Sequence, residues 1–223
     1  MKIEDDFKKF LNSLENTINL DNLPPSTFNK KKADYYLKEH NVILEIKSIN
    51  SDRREAFEPW INNKVSDFKE IQRGMPILFG TKNFRSIYEA HRNKKYFDKI
   101  LDSHASKTLE GYIRSAKYQL RDTKQSLEVD KAIGILVILN QEYEFYETGF
   151  VYRVVQQMLS KLKEKSPEAS IDGVLYINES KSSTGEIDTV FIHESNKLED
   201  ISPNEFLDNL YKLWAKHRGY GNT

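Results

Sequence analysis

Residues 42–49 read VILEIKSI, an apolar and β-branched run interrupted by two charges, Glu45 and Lys47. Such a run predicts a strand covered on both faces. Side chains alternate along a strand, so Ile43, Glu45, Lys47 and Ile49 share one face, while Val42, Leu44 and Ile46 share the other. A buried charge is costly unless it is paired or binds a metal ion. Whatever fold the chain adopts must therefore bring compensation to this strand.

The nearest source is the segment just before it. Asp34-Tyr35-Tyr36-Leu37, a polar Lys38-Glu39-His40-Asn41 turn and Val42–Ile49 read as a β-hairpin. If Leu37 faces Val42, partner numbers sum to 79 and Asp34 lies across from Glu45, with Cβ atoms roughly 5 Å apart. A three-residue loop would instead move Asp34 to the other face. Two facing carboxylates repel each other, and a cation between them relieves that. Mg²⁺ suits the position: it takes one or two carboxylates and keeps waters and substrate phosphate oxygens as its other ligands. It polarises a phosphoryl group and lowers the pKa of a water. Lys47 adds a compact positive charge beside the attacked phosphate. The competing reading of the same residues is a structural ion pair in a sheet.

An Asp on the first arm of a hairpin followed by Glu-x-Lys on the second resembles the PD-(D/E)xK nuclease superfamily, whose members include type II restriction enzymes. The resemblance runs through KADYYLKEHNVILEIKSI, residues 32–49, with the motif on Asp34, Glu45 and Lys47. Ala33 stands where the family usually has proline, a departure that leaves the ligands untouched. The resemblance implies an αβββαβ-type, restriction-endonuclease-like core, Mg²⁺ dependence with Mn²⁺ able to substitute, and phosphodiester hydrolysis, with Asp34 and Glu45 as metal ligands. Members often carry a glutamine on the helix after this strand, which points to Gln119 in SAKYQLRDTKQSL, with Lys117 and Arg121 as phosphate contacts. Members also often use a glutamate of the first helix, which points to Glu15 as a third metal ligand. The expected function is a nuclease, an endodeoxyribonuclease more than a ribonuclease. The alternative is a nuclease-like module that binds nucleic acid or a protein without cutting.

The remaining pattern is α/β, with a mixed sheet between helices. Ile3, Phe7, Phe10, Leu11, Leu14 and Ile18 recur at helical spacing and predict a first helix. Leu109, Tyr112, Ile113, Ala116, Leu120 and Leu127 predict a long helix; AIGILVILN (132–140), GVLYIN (173–178) and DTVFIH (188–193) predict strands. Helices are expected near 150–165 and at 203–217. The domain expectation is one nuclease-like domain over residues 1–223. Its core would span 1–140, with a helical insertion at about 52–104 around a GMPILFGTKN loop, and 141–223 would add strands and helices.

Composition narrows the partners. The 34 Lys and Arg balance the 34 Asp and Glu, which argues against coating nucleic acid by bulk charge. The distribution is uneven, however. Residues 82–124 hold eleven basic against five acidic side chains, a balance of +6, and residues 125–208 hold seven against sixteen, a balance of −9. Lys94, Lys95 and Lys99 in the basic stretch are the candidate nucleic-acid contacts. There is no cysteine, so no disulfide or thiolate metal site, and a reducing cytoplasm is the expected compartment. The five histidines show no zinc-ligand spacing. No apolar run approaches the roughly 18 residues of a membrane span. Cutting two strands is simplest with two sites, so a homodimer is expected, although no residue demonstrates it.

Overall fold

The structure is a computed structural model, and it describes residues 2–28, 31–49, 94–143, 146–165, 171–180, 187–193 and 203–220. The chain forms two compact units, residues 1–49 with 109–223, and residues 50–108. The GMPILFGTKN loop and the greater part of the expected insertion lie outside the described residues.

The first unit is built on one six-stranded mixed sheet whose spatial order follows the chain: β1 (Thr17–Asn19), β2 (Tyr35–Leu37), β3 (Val42–Ile49), β4 (Ile133–Asn140), β5 (Gly173–Asn178) and β6 (Asp188–His193). β3, β4 and β5 run parallel to one another, and the β1–β2, β2–β3 and β5–β6 pairs are antiparallel. Parallel neighbours need long crossovers. The described helices in those connections are α2 (Lys94–Ser126), before β4, and α3 (Thr148–Lys165), between β4 and β5. α1 (Ile3–Ser13) and α4 (Pro203–His217) stand at the two ends of the chain. The α/β class and the mixed sheet between helices are as the sequence predicts.

Alternation along the central strands divides the interior. Val42, Leu44 and Ile46, with Ile133, Ile135, Val137, Leu139, Leu175 and Ile177, meet Phe7, Phe10 and Leu11 of α1 and Leu210 and Trp214 of α4 in one hydrophobic core. Phe7 meets the Trp214 ring edge-on at 4.9 Å, a favoured aromatic geometry. Ile43, Glu45 and Lys47 belong to the opposite face. Among the hydrogen bonds that hold α2 to the hairpin, Tyr112 donates its hydroxyl to the Ser48 carbonyl (2.8 Å), and the Ala33 amide donates to Thr123 Oγ1 (2.8 Å). Val151, Val155 and Leu159 of α3 are buried.

The first helix is shorter than its periodicity suggests. It ends at Ser13, its C-cap Leu14 is extended, and Asn16 turns the chain at φ 59°. Asn tolerates that left-handed conformation better than most residues. Ile18, expected on the helix, lies on β1 opposite Tyr36. A helical spacing of apolar residues was satisfied by a helix, a turn and an edge strand in succession: Phe7, Phe10, Leu11 and Leu14 pack on the core beneath α1, while Ile18, opposite Tyr36 and so on the face of Ile43, belongs to the other side of the sheet.

Candidate active site

The hairpin register is the one expected: Leu37 pairs with Val42, Tyr36 with Ile43 and Tyr35 with Leu44. At Asp34 the ladder slips. Its amide donates to the Leu44 carbonyl (3.1 Å), so Asp34 and Tyr35 both answer to Leu44 in the manner of a β-bulge. Bulges re-aim side chains. Here Asp34 Oδ2 accepts the Ile46 amide at 2.8 Å, which carries the carboxylate to the peptide beside Glu45.

Glu45 is 1% exposed. Its Oε1 lies 2.5 Å from Lys47 Nζ, whereas Oε2 is buried without a hydrogen-bond partner among the described residues. Burial, and next the negative charge of Asp34, push the Glu45 carboxyl up to about 7, against the opposing influence of Lys47 and Gln119. Two carboxylates near each other in a dry place favour protonation of one of them. Lys47, partly exposed, also donates to Gln119 Oε1 at 3.3 Å. Gln119 is oriented in turn by Ser115 Oγ, which donates to the same oxygen at 2.7 Å, and by its own Nε2, which donates to the Lys32 carbonyl at 3.0 Å. The glutamine singled out on the helix after the strand therefore does face Glu45 and Lys47.

Other candidates fall elsewhere. Glu15 lies in the exposed turn after α1 and not on the helix, so its placement as a first-helix residue is corrected: the helix ends before reaching it. The α1 glutamate that comes to the hairpin is Glu4. Its Oε1 is 2.8 Å from Lys8 Nζ and its Oε2 accepts from Ser48 Oγ at 2.5 Å. Burial raises the Glu4 carboxyl, but the bonds from Lys8 and Ser48 and the charges of Lys8 and Lys47 outweigh it and hold the group below the usual range. Sequence reasoning missed Glu4; the signal that could have found it is its position between the apolar Ile3 and Phe7, four residues ahead of Lys8.

Arg121 is engaged locally, by Asp122 at 2.8 and 3.0 Å and over the Tyr118 ring at 5.1 Å. Lys117 is half-buried on the same helix, and two residues of α-helix turn it about 200° away from Gln119. Lys94, Lys95 and Lys99 belong to the second unit, where Lys95 and Lys99 are exposed.

The carboxylates this hairpin brings together, Asp34 and Glu45, are hard oxygen donors. Among the described residues there is no group of three or more His, Cys, Asp or Glu side chains arranged to hold a metal ion. An ion at this hairpin would have Asp34 and Glu45 as its protein carboxylates, the number Mg²⁺ commonly uses. The unpartnered Glu45 Oε2 is the kind of buried oxygen such an ion satisfies. Comparison of the chain with protein-family models, curated proteins and solved structures finds no match. Among the described residues no helix is long and apolar enough to cross a membrane.

Proposed function

We propose that the protein is a Mg²⁺-dependent nuclease that hydrolyses phosphodiester bonds, DNA in preference to RNA, on a restriction-endonuclease-like core. The observation that carries this reading is the state of Glu45: a carboxylate 1% exposed, with one oxygen on Lys47 and the other without a partner among the described residues, on the strand paired with the Asp34 arm. Asp34 and Glu45 would hold the ion, and Mn²⁺ would substitute for Mg²⁺. When bound, the ion supplies Lewis-acid polarisation of the phosphate and a water of lowered pKa. Lys47 carries the positive charge that stabilises negative charge developing on the phosphate, and Gln119 fixes the Lys47 ammonium in place.

A second reading has its own support. The 2.5 Å Lys47–Glu45 pair already compensates much of the buried charge, as it would in a nuclease-like module that binds without cutting. Incubation of the purified protein with linear, circular and single-stranded DNA and with RNA, under Mg²⁺, Mn²⁺ or EDTA, separates the two. The nuclease reading expects metal-dependent cleavage that EDTA abolishes, and the binding module expects retention without cleavage.

A further inference from the structure

Lys8 stands at the middle of α1, with a third of its side chain exposed. Its ammonium lies 2.8 Å from Glu4 Oε1 and 3.7 Å from Asp34 Oδ1. The second distance is within ion-pair range but beyond a hydrogen bond. The other Asp34 oxygen is committed to the Ile46 amide, and the other Glu4 oxygen to Ser48 on β3. A chain of charges thus runs from Asp34 through Lys8 and Glu4 to Ser48. Its ion pairs with Glu4 and Asp34 place the Lys8 ammonium as the positive charge between them. Glu45 has its own lysine, Lys47. Each carboxylate of the pair is therefore countered by a separate lysine, one from the sheet and one from the helix.

We propose that Lys8 is a positioning residue of the metal site: its ammonium stands in for the divalent cation beside Asp34 and competes electrostatically with that cation when it binds. This rests on the reading that Asp34 and Glu45 hold a metal ion. Lys8 cannot leave freely, because Glu4, itself bonded to Ser48, holds it at the rim. The ion must then bind against a fixed positive charge. A substrate phosphate, bringing negative charge to the same place, relieves the repulsion, so metal and substrate bind cooperatively.

The test measures Mn²⁺ affinity by calorimetry, and thermal melting with EDTA or with Mn²⁺, for the parent, Lys8→Met, Lys8→Gln and Lys8→Arg. Removing a fixed charge beside a divalent ion is expected to tighten Mn²⁺ binding about three- to tenfold in Lys8→Met and Lys8→Gln. Lys8→Arg, which keeps the charge, should stay near the parent. In EDTA the two neutral variants should melt below the parent, and Mn²⁺ should close that gap. A merely structural lysine would loosen Mn²⁺ binding or leave it unchanged, and either result in a cooperatively melting neutral variant overturns the proposal. If the parent itself binds no Mn²⁺, the metal reading beneath it fails and the proposal falls with it. Parent binding without a tighter neutral variant sinks the proposal alone.

Discussion

Two buried carboxylates on the same sheet are treated in opposite ways. Glu179, just past β5, is 0% exposed and both its oxygens are used. Trp214 Nε1 and Arg218 Nε donate to Oε1 at 3.1 and 3.3 Å, and an Arg218 terminal nitrogen donates to Oε2 at 2.7 Å. Arg218 also reaches Asp6 Oδ2 at 2.9 Å, with His217 3.4 Å from the other Asp6 oxygen. Burial raises the Asp6 carboxyl, yet the His217 and Arg218 bonds and charges prevail and hold it below its usual value. This cluster fastens the C-terminal helix to α1 and β5. Glu45, equally buried, has one oxygen without a partner among the described residues and a carboxyl pushed up to about 7. Both oxygens of Glu179 are answered, as suits a buried charge that holds the fold together, whereas on the proposed reading the second oxygen of Glu45 is left for a ligand.

That contrast is easiest to break at Glu179. Glu179→Ala leaves the Trp214 ring nitrogen without its acceptor and Arg218 with Asp6 alone, and removal of one partner from a buried charge network costs about 3–5 kcal/mol. Chemical denaturation should show that loss, with Mn²⁺ binding by the folded fraction unchanged. A loss confined to metal binding would erase the distinction between the two carboxylates. Lys47→Ala should do the reverse. Cleavage is expected to fall by about a hundredfold or more, with metal binding retained, whereas Glu45→Ala should lose both metal and cleavage. If Lys47→Ala cuts as fast as the parent under Mg²⁺, the nuclease reading gives way to the binding module.

A smaller effect concerns pH. In the metal-free protein Glu45 holds its proton up to about 7, whereas the unfolded chain releases it near the ordinary value of 4.5. Between those values the folded state binds more protons, so stability falls as pH rises through the window and levels off above it. Glu45→Gln, which has no such charge to bury, should therefore be more stable than the parent by about 1–2 kcal/mol above pH 7 in EDTA, part of the gain being offset by the lost Lys47 pair. Mn²⁺ should stabilise the parent increasingly through the same window, since the ion needs the ionised carboxylate. Denaturant titrations across pH in EDTA and in Mn²⁺ check both signs; a parent whose metal-free stability climbs from 5 to 7 while the variant's does not would contradict a raised Glu45 carboxyl.

The smallest effects lie on the surface. Neutralising Lys95 or Lys99 should weaken nucleic-acid binding for all sequences alike and lower the salt slope by about one for each phosphate left without its lysine. Cleavage at saturating substrate should not change. Glu15→Ala, in its exposed turn, should alter stability by no more than about 0.5 kcal/mol and leave Mn²⁺ binding as it was. A weakened site would return Glu15 to the metal shell.

Local pattern alone settled a good deal of this protein. The turn after Leu37 and the alternation in VILEIKSI set the hairpin register, because partners a few residues apart along one chain have few ways to pair. The apolar stripe of Tyr112, Ile113, Ala116 and Leu120 likewise set the face of α2, and with it the flank on which Gln119 meets Lys47. What lay beyond that reach was decided by packing. Ile18 shares the spacing of the first helix, yet it became an edge strand because β2 offered it a partner. Glu4 reached Ser48 across 44 residues of sequence, and Arg218 reached Asp6 across 212. The bulge at Asp34 and the unpartnered oxygen of Glu45 depend on which backbone amides and side chains the other elements supply. Sequence periodicity specifies the face a residue occupies; only the packed elements decide which charges are answered there, because that compensation comes from groups distant along the chain.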